Sequence, residues 1–350
     1  MAKNKGVSSA TERAVGRIWN GIPVFDPSKV RKTRWLIDSF LPEGCIHVVY
    51  GPPGVFKSTA LLKAAKAVSE GEDFFAMKTR QRMVLYLDYE NPSDVLKNRD
   101  HDLRLSIPSP RFTIWDRFHG KPTPVPGDPS LENFVRRCKK ETGKWPWLIF
   151  DSWTSLLKYG EGGETTGQVA PMYAAIRALR DQGVTCTIID HSRKYRSDII
   201  YGAGAKMTLI DMSHNFVVHK PSKHLDAHSS TTVVRVRADL KRYTPSGLGD
   251  FSFEIKGKQD KKREWHLASV EPVKDPLLVK KEQDITILNR LIQDNSDLGQ
   301  RALAELAADT TEIKRDRAET LLRDGIDRHW KTVPMGARKV VYRLLKPRKS

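Results

Sequence analysis

Cysteine is scarce in this chain: Cys45, Cys138 and Cys186 are the three present, widely spaced and without a C-x-x-C pair. That excludes a disulfide framework and a thiolate zinc site, and points to a reducing compartment. Long apolar runs are missing too. Nothing approaches the roughly 20 consecutive apolar residues of a membrane span, and the opening MAKNKGVSSATERAVGR has no apolar signal core. A soluble cytoplasmic protein that makes no use of a membrane is expected. Internal repeats and low-complexity tracts are absent. Acidic residues are in deficit, 42 against 60 Lys and Arg, for a net charge of +18. Such a field favours a polyanionic partner, with nucleic acid the leading candidate, although charge by itself does not separate DNA from RNA or an anionic membrane. An apolar content of 39% over 350 residues supports ordinary cores, in two domains on length alone, and excludes a disordered class.

What is present is most informative at His47-Val48-Val49-Tyr50-Gly51-Pro52-Pro53-Gly54-Val55-Phe56-Lys57-Ser58. A β-branched run feeds a glycine-turned loop that ends in Lys-Ser and opens an apolar helix. Such a loop wraps phosphates with backbone N–H groups, sets Lys57 on the β and γ oxygens and offers Mg²⁺ the Ser58 hydroxyl. Gly51, Pro52, Pro53, Gly54, Val55, Phe56, Lys57, Ser58 and Thr59 are the expected nucleotide contacts, and ATP with Mg²⁺ the expected ligand. The usual pattern has glycine immediately before the lysine. Here Phe56 stands there and is expected to keep a negative φ, with its ring turned away, so that Gly54 and the two prolines shape the loop.

Along the chain, strands are expected at 45–50, 83–88, 112–115, 147–151 and 184–190, alternating with helices at 57–69, 92–104, 131–141 and 168–182. That alternation predicts an α/β fold with a mainly parallel, helix-flanked sheet. Strands at 214–219, 231–239, 251–256 and 265–270 read as antiparallel additions to it, with Lys256 to Arg263 a basic hairpin tip or loop. Prolines and lysines at 272–281 read as a linker. Helices at 282–294, 300–308 and 311–328 follow, then a strand pair at 332–333 and 340–344. Three helices and a basic wing describe a winged helix, and residues 331–350 hold seven basic and no acidic residues. A small helical cap or subunit-contact domain fits the same pattern.

A phosphate loop needs a carboxylate to hold the water shell of Mg²⁺, and Asp151 supplies one at the end of the apolar strand Trp147-Leu148-Ile149-Phe150. Glu90, just past the strand Met83 to Asp88, is the expected catalytic base, with Asp88 as competitor; either could simply cap the helix that begins at Pro92. His191, at the end of Thr185 to Asp190, is the candidate γ-phosphate sensor, against a structural role. Basic residues with interleaved tyrosines at 158–167, 193–197 and 201–206 suit single-strand contact or solvated loops.

The order of phosphate loop with Phe-Lys-Ser, Leu-Tyr-Leu-Asp-Tyr-Glu-Asn, Ile-Phe-Asp-Ser, Ile-Asp-His-Ser and Gly-Ala-Gly-Ala-Lys resembles RecA-like ATPases of the plasmid RepA and phage replicative-helicase branch, relatives of the DnaB-type ring helicases. It covers about residues 35–270. The resemblance implies tolerance of phenylalanine before the lysine. It also implies that Glu90 is the catalytic glutamate, Asp151 the Walker B aspartate and His191 the sensor. Leu240-Lys241-Arg242 resembles the Lys-x-Arg element that reaches into a neighbouring subunit's γ-phosphate, here with Lys and Arg adjacent, so that which of Lys241 and Arg242 acts is open; an exposed basic hairpin is the alternative. The organisation expected is an arm or linker at 1–34, a RecA-like ATPase domain at 35–271, a linker at 272–281 and a winged helix at 282–350. The family implies a hexameric ring moving on single-stranded DNA as a phage- or plasmid-type replicative helicase, with duplex contact through the winged helix. A nucleotide-switched DNA-binding initiator or regulator, and a filament-forming recombinase, are the other readings.

Overall fold

A computed structural model of the protein describes residues 33–118, 120–158, 166–193, 196–200, 209–226, 229–241, 250–260, 265–326, 329–335 and 340–345. The N-terminal arm expected at 1–34 lies outside them except for its last two residues, as do most of loops 158–167 and 201–206 and all of Arg242.

A short antiparallel pair, β1 (Trp35–Ile37) and β2 (Leu41–Pro42), precedes the main sheet. The sheet's parallel part holds β3 (Ile46–Gly51), β4 (Val84–Asp88), β5 (Phe112–Trp115), β6 (Trp147–Asp151) and β7 (Thr185–Arg193). Between them run α1 (Lys57–Glu70), α2 (Ser93–Leu103), α3 (Pro129–Thr142), α4 (Trp153–Lys158) and α5 (Thr166–Gln182). The strands read as continuous apolar runs because helices cover both faces, and β3, β4 and β6 are buried throughout. The order across the sheet is β5-β4-β6-β7-β3, so one strand, β7, separates the strand that feeds the phosphate loop from the one that ends in Asp151. This is the RecA-like arrangement.

On the other side of β3 lie β9 (Met212–Asp226), β10 (Ser229–Lys241), β11 (Phe251–Gln259) and β12 (Trp265–Val273). Three of them are antiparallel additions as expected, but β9 is parallel to β3, His47 pairing with Met212 and Tyr50 with Asn215. The sequence signal for β9 was polar and short, so its direction had to come from pairing with β3. Of the polar segment 193–197, Arg193 ends β7 and Arg196 opens β8 (Arg196–Ile200), the two strands pairing antiparallel, while Lys194 and Tyr195 lie outside the described residues. Of the basic segment Lys256 to Arg263, Lys256 to Gln259 continue β11, and Lys261 to Arg263 lie outside the described residues.

Two cores sandwich the sheet. One joins α1 to Val49, Phe216, Val234, Phe253 and Val270; the other joins α3, α4 and α5 to Ile46, Val48, Leu148 and Ile188. The segment expected as a linker is mostly ordered structure, since β12 runs to Val273 and α6 (Pro276–Asp294) starts three residues on. Proline at the first helical position and the Asp275 carbonyl, which accepts from the Val279 amide at 2.9 Å, explain that early start. With α7 (Gln300–Thr310), α8 (Arg315–Asp324) and the antiparallel pair β13 (Trp330–Pro334) and β14 (Val340–Leu344), α6 encloses a separate core around Leu288, Leu303, Leu322 and Trp330. The helix α8 is shorter than the 311–328 expected. Thr311 leaves the helical region and its Oγ1 accepts the Ile313 amide, while at the far end a Cβ on Gly325 would lie 2.3 Å from the Trp330 ring.

Candidate functional site

Strand register builds the site. Asp88 pairs with Asp151 across β4 and β6, and His191 pairs with Gly51 across β7 and β3, so the carboxyl ends of adjacent strands bring these residues into one row. In open α/β sheets this edge is where ligands sit.

Gly51 is dictated by crowding. Its φ is +155°, and a Cβ there would lie 2.3 Å from the Phe216 carbonyl oxygen on β9. Gly54 turns the loop with φ +76° and has open space around it. Phe56 overturns the expectation of a negative φ: it sits at φ 61°, ψ 26°, the left-handed region. A phenylalanine there costs on the order of 1–2 kcal/mol. Its half-buried ring packs against the α1-side core, which offsets part of that cost. The loop therefore keeps the backbone path of a glycine while carrying a large side chain.

No side chain caps α1 at Phe56. The first N–H groups of a 14-residue helix are thus aimed at the cavity above the loop, where an anion would satisfy them. Lys57 is 6% exposed, and its Nζ donates to the carbonyls of Gly51 at 2.9 Å and Pro52 at 2.8 Å. Burial pulls its pKa down to about 8 against the opposing charges of Asp151, Glu90 and Asp190. Phosphate oxygens would exchange for those two carbonyls without moving the lysine out of its site.

Asp151 is buried. It accepts hydrogen bonds from Tyr86 Oη and from Ser58, and burial raises its pKa against those bonds and the charge of Arg99. A serine hydroxyl and a carboxylate held together beside a phosphate loop fit an Mg²⁺ that takes its remaining ligands from water and phosphate. Among the described residues no group of three or more His, Cys, Asp or Glu forms a metal cage, which the same chemistry does not need.

Asp88 and Glu90 are distinguished by their partners. Asp88 is 1% exposed, and its Oδ1 accepts from the amides of Glu90 at 2.9 Å and Asn91 at 2.7 Å while Oδ2 accepts from Asn91 Nδ2 at 2.8 Å. Burial and the Asp151 charge push it up to about 7. It brackets the turn. Glu90 is exposed toward the cavity, its Oε2 accepting from Ser152 Oγ at 2.5 Å and Ser155 Oγ at 3.4 Å. Only the second carboxylate is in a position to meet a water in the cavity.

The cavity has a volume of about 570 Å³. Pro53 to Thr59, Glu90, Asp151 and His191 all line it, whereas Gly51 and Pro52 act through the carbonyls that hold Lys57. The backbone of Lys241 lies away from the cavity. It pairs with Met212, level with His47, which is four residues or roughly 13 Å back along β3 from Gly51. Sequence reasoning missed Arg99 and Asp102 on α2, and Ser230, Thr232, Gly257 and His266 on the added strands. Arg99 and Asp102, three apart on the helix that follows Glu90, could have been found by helical spacing. The others depend on long-range packing.

A family model described as an AAA domain matches residues 24–197, the stretch that contains Lys57, Glu90, Asp151 and His191. No curated protein matches the chain. Among solved structures, the KaiC-like protein PH0186 from the hyperthermophilic archaeon Pyrococcus horikoshii OT3 is similar at 15% identity and a TM-score of 0.43, covering 69% of this chain and 98% of that one. A second solved structure, described as an ATPase domain, is similar at 12% identity and a TM-score of 0.46, covering 71% of this chain and 95% of that one. Neither likeness is close enough to carry a function. The strand order and the phosphate loop that follows β3 are those of a RecA-like α/β fold. No helix among the described residues is long and apolar enough to cross a membrane.

Proposed function

We propose that this protein is an ATP-hydrolysing, ring-forming motor on single-stranded DNA, a replicative helicase of the phage or plasmid type. The observation that carries the ATPase part is one cavity lined by an uncapped helix N-terminus, the Lys57 ammonium, the Ser58–Asp151 pair and the exposed Glu90 carboxylate. In this account Lys57 and the α1 amides hold the triphosphate, and Ser58 and Asp151 would hold Mg²⁺, which would supply neutralisation of phosphate charge. Glu90 orients and deprotonates the attacking water, with Ser152 and Ser155 fixing its carboxylate. His191 hydrogen-bonds the γ-phosphate and reports its loss to β7 and the hairpin beyond.

Lys241 and Arg242 belong to a neighbouring subunit's site in this account. The distance of Lys241 from its own chain's loop supports a role in trans, and makes turnover depend on assembly. The net charge of +18 supports the polyanion partner, and the resemblance supports single-stranded DNA and a hexamer. The three helices and hairpin at 276–344, with their own core and an exposed Lys331, support a winged helix that touches duplex DNA.

A second reading, a nucleotide-switched DNA-binding initiator or regulator without unwinding, is favoured by that same C-terminal unit. The steady-state ATPase rate with no nucleic acid, single-stranded DNA, duplex DNA and single-stranded RNA, at fixed low salt, separates the two. Stimulation by single strands is expected of the motor. Equal or absent stimulation with duplex binding intact would select the regulator.

A further inference from the structure

We propose that the hairpin β13–β14, and not the helix α8, is what the C-terminal unit lays against duplex DNA, and that it holds phosphates rather than reading bases. This rests on the reading above of that unit as a winged helix on duplex DNA, and names the element that makes the contact.

In a helix-turn-helix unit the last helix is the one placed in the major groove, where free arginines read base edges. The arginines of α8 are already committed. Arg315 lies 3.0 Å from Glu319 and 3.2 Å from Glu305, Arg317 lies 2.5 Å from Asp284, and Arg323 lies 3.6 Å from Asp324. Along the helix Arg315, Arg317 and Arg323 are matched by Asp316, Glu319 and Asp324, so α8 brings no net charge to a polyanion. Exposed pairs of this kind add little to stability, so their main effect is to neutralise that surface.

The hairpin is built the other way. Lys331 on β13 stands directly opposite Arg343 on β14, and both are exposed. Cβ atoms of such a pair are roughly 5 Å apart, and like charges so placed repel. Neither side chain meets a carboxylate among the described residues. An anion lying across both strands turns that repulsion into attraction, and a phosphate backbone supplies one. Past this pair, Pro334 stands opposite Val340 and is followed by Met335, with Val340 47% and Met335 48% exposed. Apolar side chains at the end of a basic ribbon suit the minor groove beside the phosphates. The ribbon is held firmly for such a task. Trp330 is fully buried and its Nε1 donates to the Leu322 carbonyl near the end of α8 at 2.7 Å, while Tyr342 packs in the same core.

Binding of a short blunt duplex to the full chain without nucleotide, followed by fluorescence anisotropy across a salt series, tests this. Lys331→Ala/Arg343→Ala removes two phosphate contacts, so the slope of log affinity against log salt should become shallower by about 1.8, with about a tenfold or greater loss of affinity. Arg315→Gln/Glu319→Gln, which opens an ion pair on α8 without changing its net charge, should stay within about twofold. So should Arg137→Ala/Lys140→Ala, an exposed pair on α3 that matches the charge lost from the hairpin. Two duplexes of unrelated sequence should bind the wild type within about threefold of each other. A tenfold loss in the α8 variant, a hairpin variant that binds like the wild type, or a hundredfold preference between the two duplexes would each overturn the proposal. An equal loss in the α3 variant would assign the effect to net charge and overturn it too. Wild-type protein that binds no duplex at any salt would remove the winged-helix reading itself.

Discussion

Two polar rows cross this sheet a few residues apart and have opposite uses. Mid-strand, Trp147 Nε1 donates to Thr187 Oγ1 at 2.9 Å, Thr187 meets His47 Nδ1 at 3.4 Å, and His47 Nε2 meets His214 Nδ1 at 2.8 Å. This row links β6, β7, β3 and β9, and Phe40 packs against both imidazoles. At the strand ends, Lys57, Glu90, Asp151 and His191 face a cavity. The mid-strand row, and Lys57 and Asp151 in the end row, are buried polar groups, which are costly to leave unpaired. The mid-strand row directs its bonds from one strand to the next and so fixes register. The end row has Lys57 bonded to its own loop, an arrangement that a ligand can replace. A buried histidine or lysine is therefore a sign of function only where its partners are exchangeable.

The strongest way to break the comparison is to exchange its outcomes. Lys57→Ala should lower ATP affinity by at least a hundredfold, by equilibrium binding, with little loss of stability, because the ammonium it removes is desolvated. His47→Ala should do the reverse. It leaves a cavity and takes a partner from Thr187 and from His214, an expected loss of about 2–4 kcal/mol in denaturant unfolding, with ATP affinity of the folded protein within about threefold, well under the tenfold that 1.4 kcal/mol represents. ATP binding lost in His47→Ala at full stability would erase the distinction.

Acid sharpens it further. Burial pulls the His47 pKa down from 6.5 to about 3. Its neutral form is the one that folds, so its contribution is complete above pH 6.5 and falls as pH drops toward 3. Between pH 6.5 and pH 5 the wild type should lose about 1.6 kcal/mol more than His47→Asn does, in unfolding titrations at the two pH values.

The smallest effect expected is at Phe56. Phe56→Gly relieves the left-handed strain but removes a half-buried ring, and the two changes are of similar size, so stability should move by no more than about 1 kcal/mol. ATP affinity should stay within about fivefold, since the backbone path of the loop is retained; isothermal titration and thermal unfolding together check this.

Much of the fold is legible in the sequence where local and global signals agree. The apolar runs at β3, β4 and β6 are strands because both faces are covered, and Asp88, Asp151 and His191 stand at strand ends by simple counting. The rest depended on pairing. β9 reads polar, and only its neighbour β3 makes it parallel. β8 and β1–β2 are too short to show a period. The candidate site divides the same way. Lys57, Glu90 and Asp151 are announced by what lies next to them in sequence, whereas Ser230 and Gly257 reach the cavity only because three added strands overhang α1. Phe56 failed in a third manner: the loop's geometry overrode the residue's own preference for negative φ.

The central claim is that the strand-end row turns over ATP, with Glu90 acting on water. It is tested most directly by measuring ATP occupancy and hydrolysis rate on the same samples of wild type and Glu90→Gln, at saturating ATP and single-stranded DNA. The account predicts equal occupancy within about twofold and a rate at least a hundredfold lower in the variant, the scale of a lost general base. A Glu90→Gln protein that is fully occupied and hydrolyses ATP at the wild-type rate would contradict it.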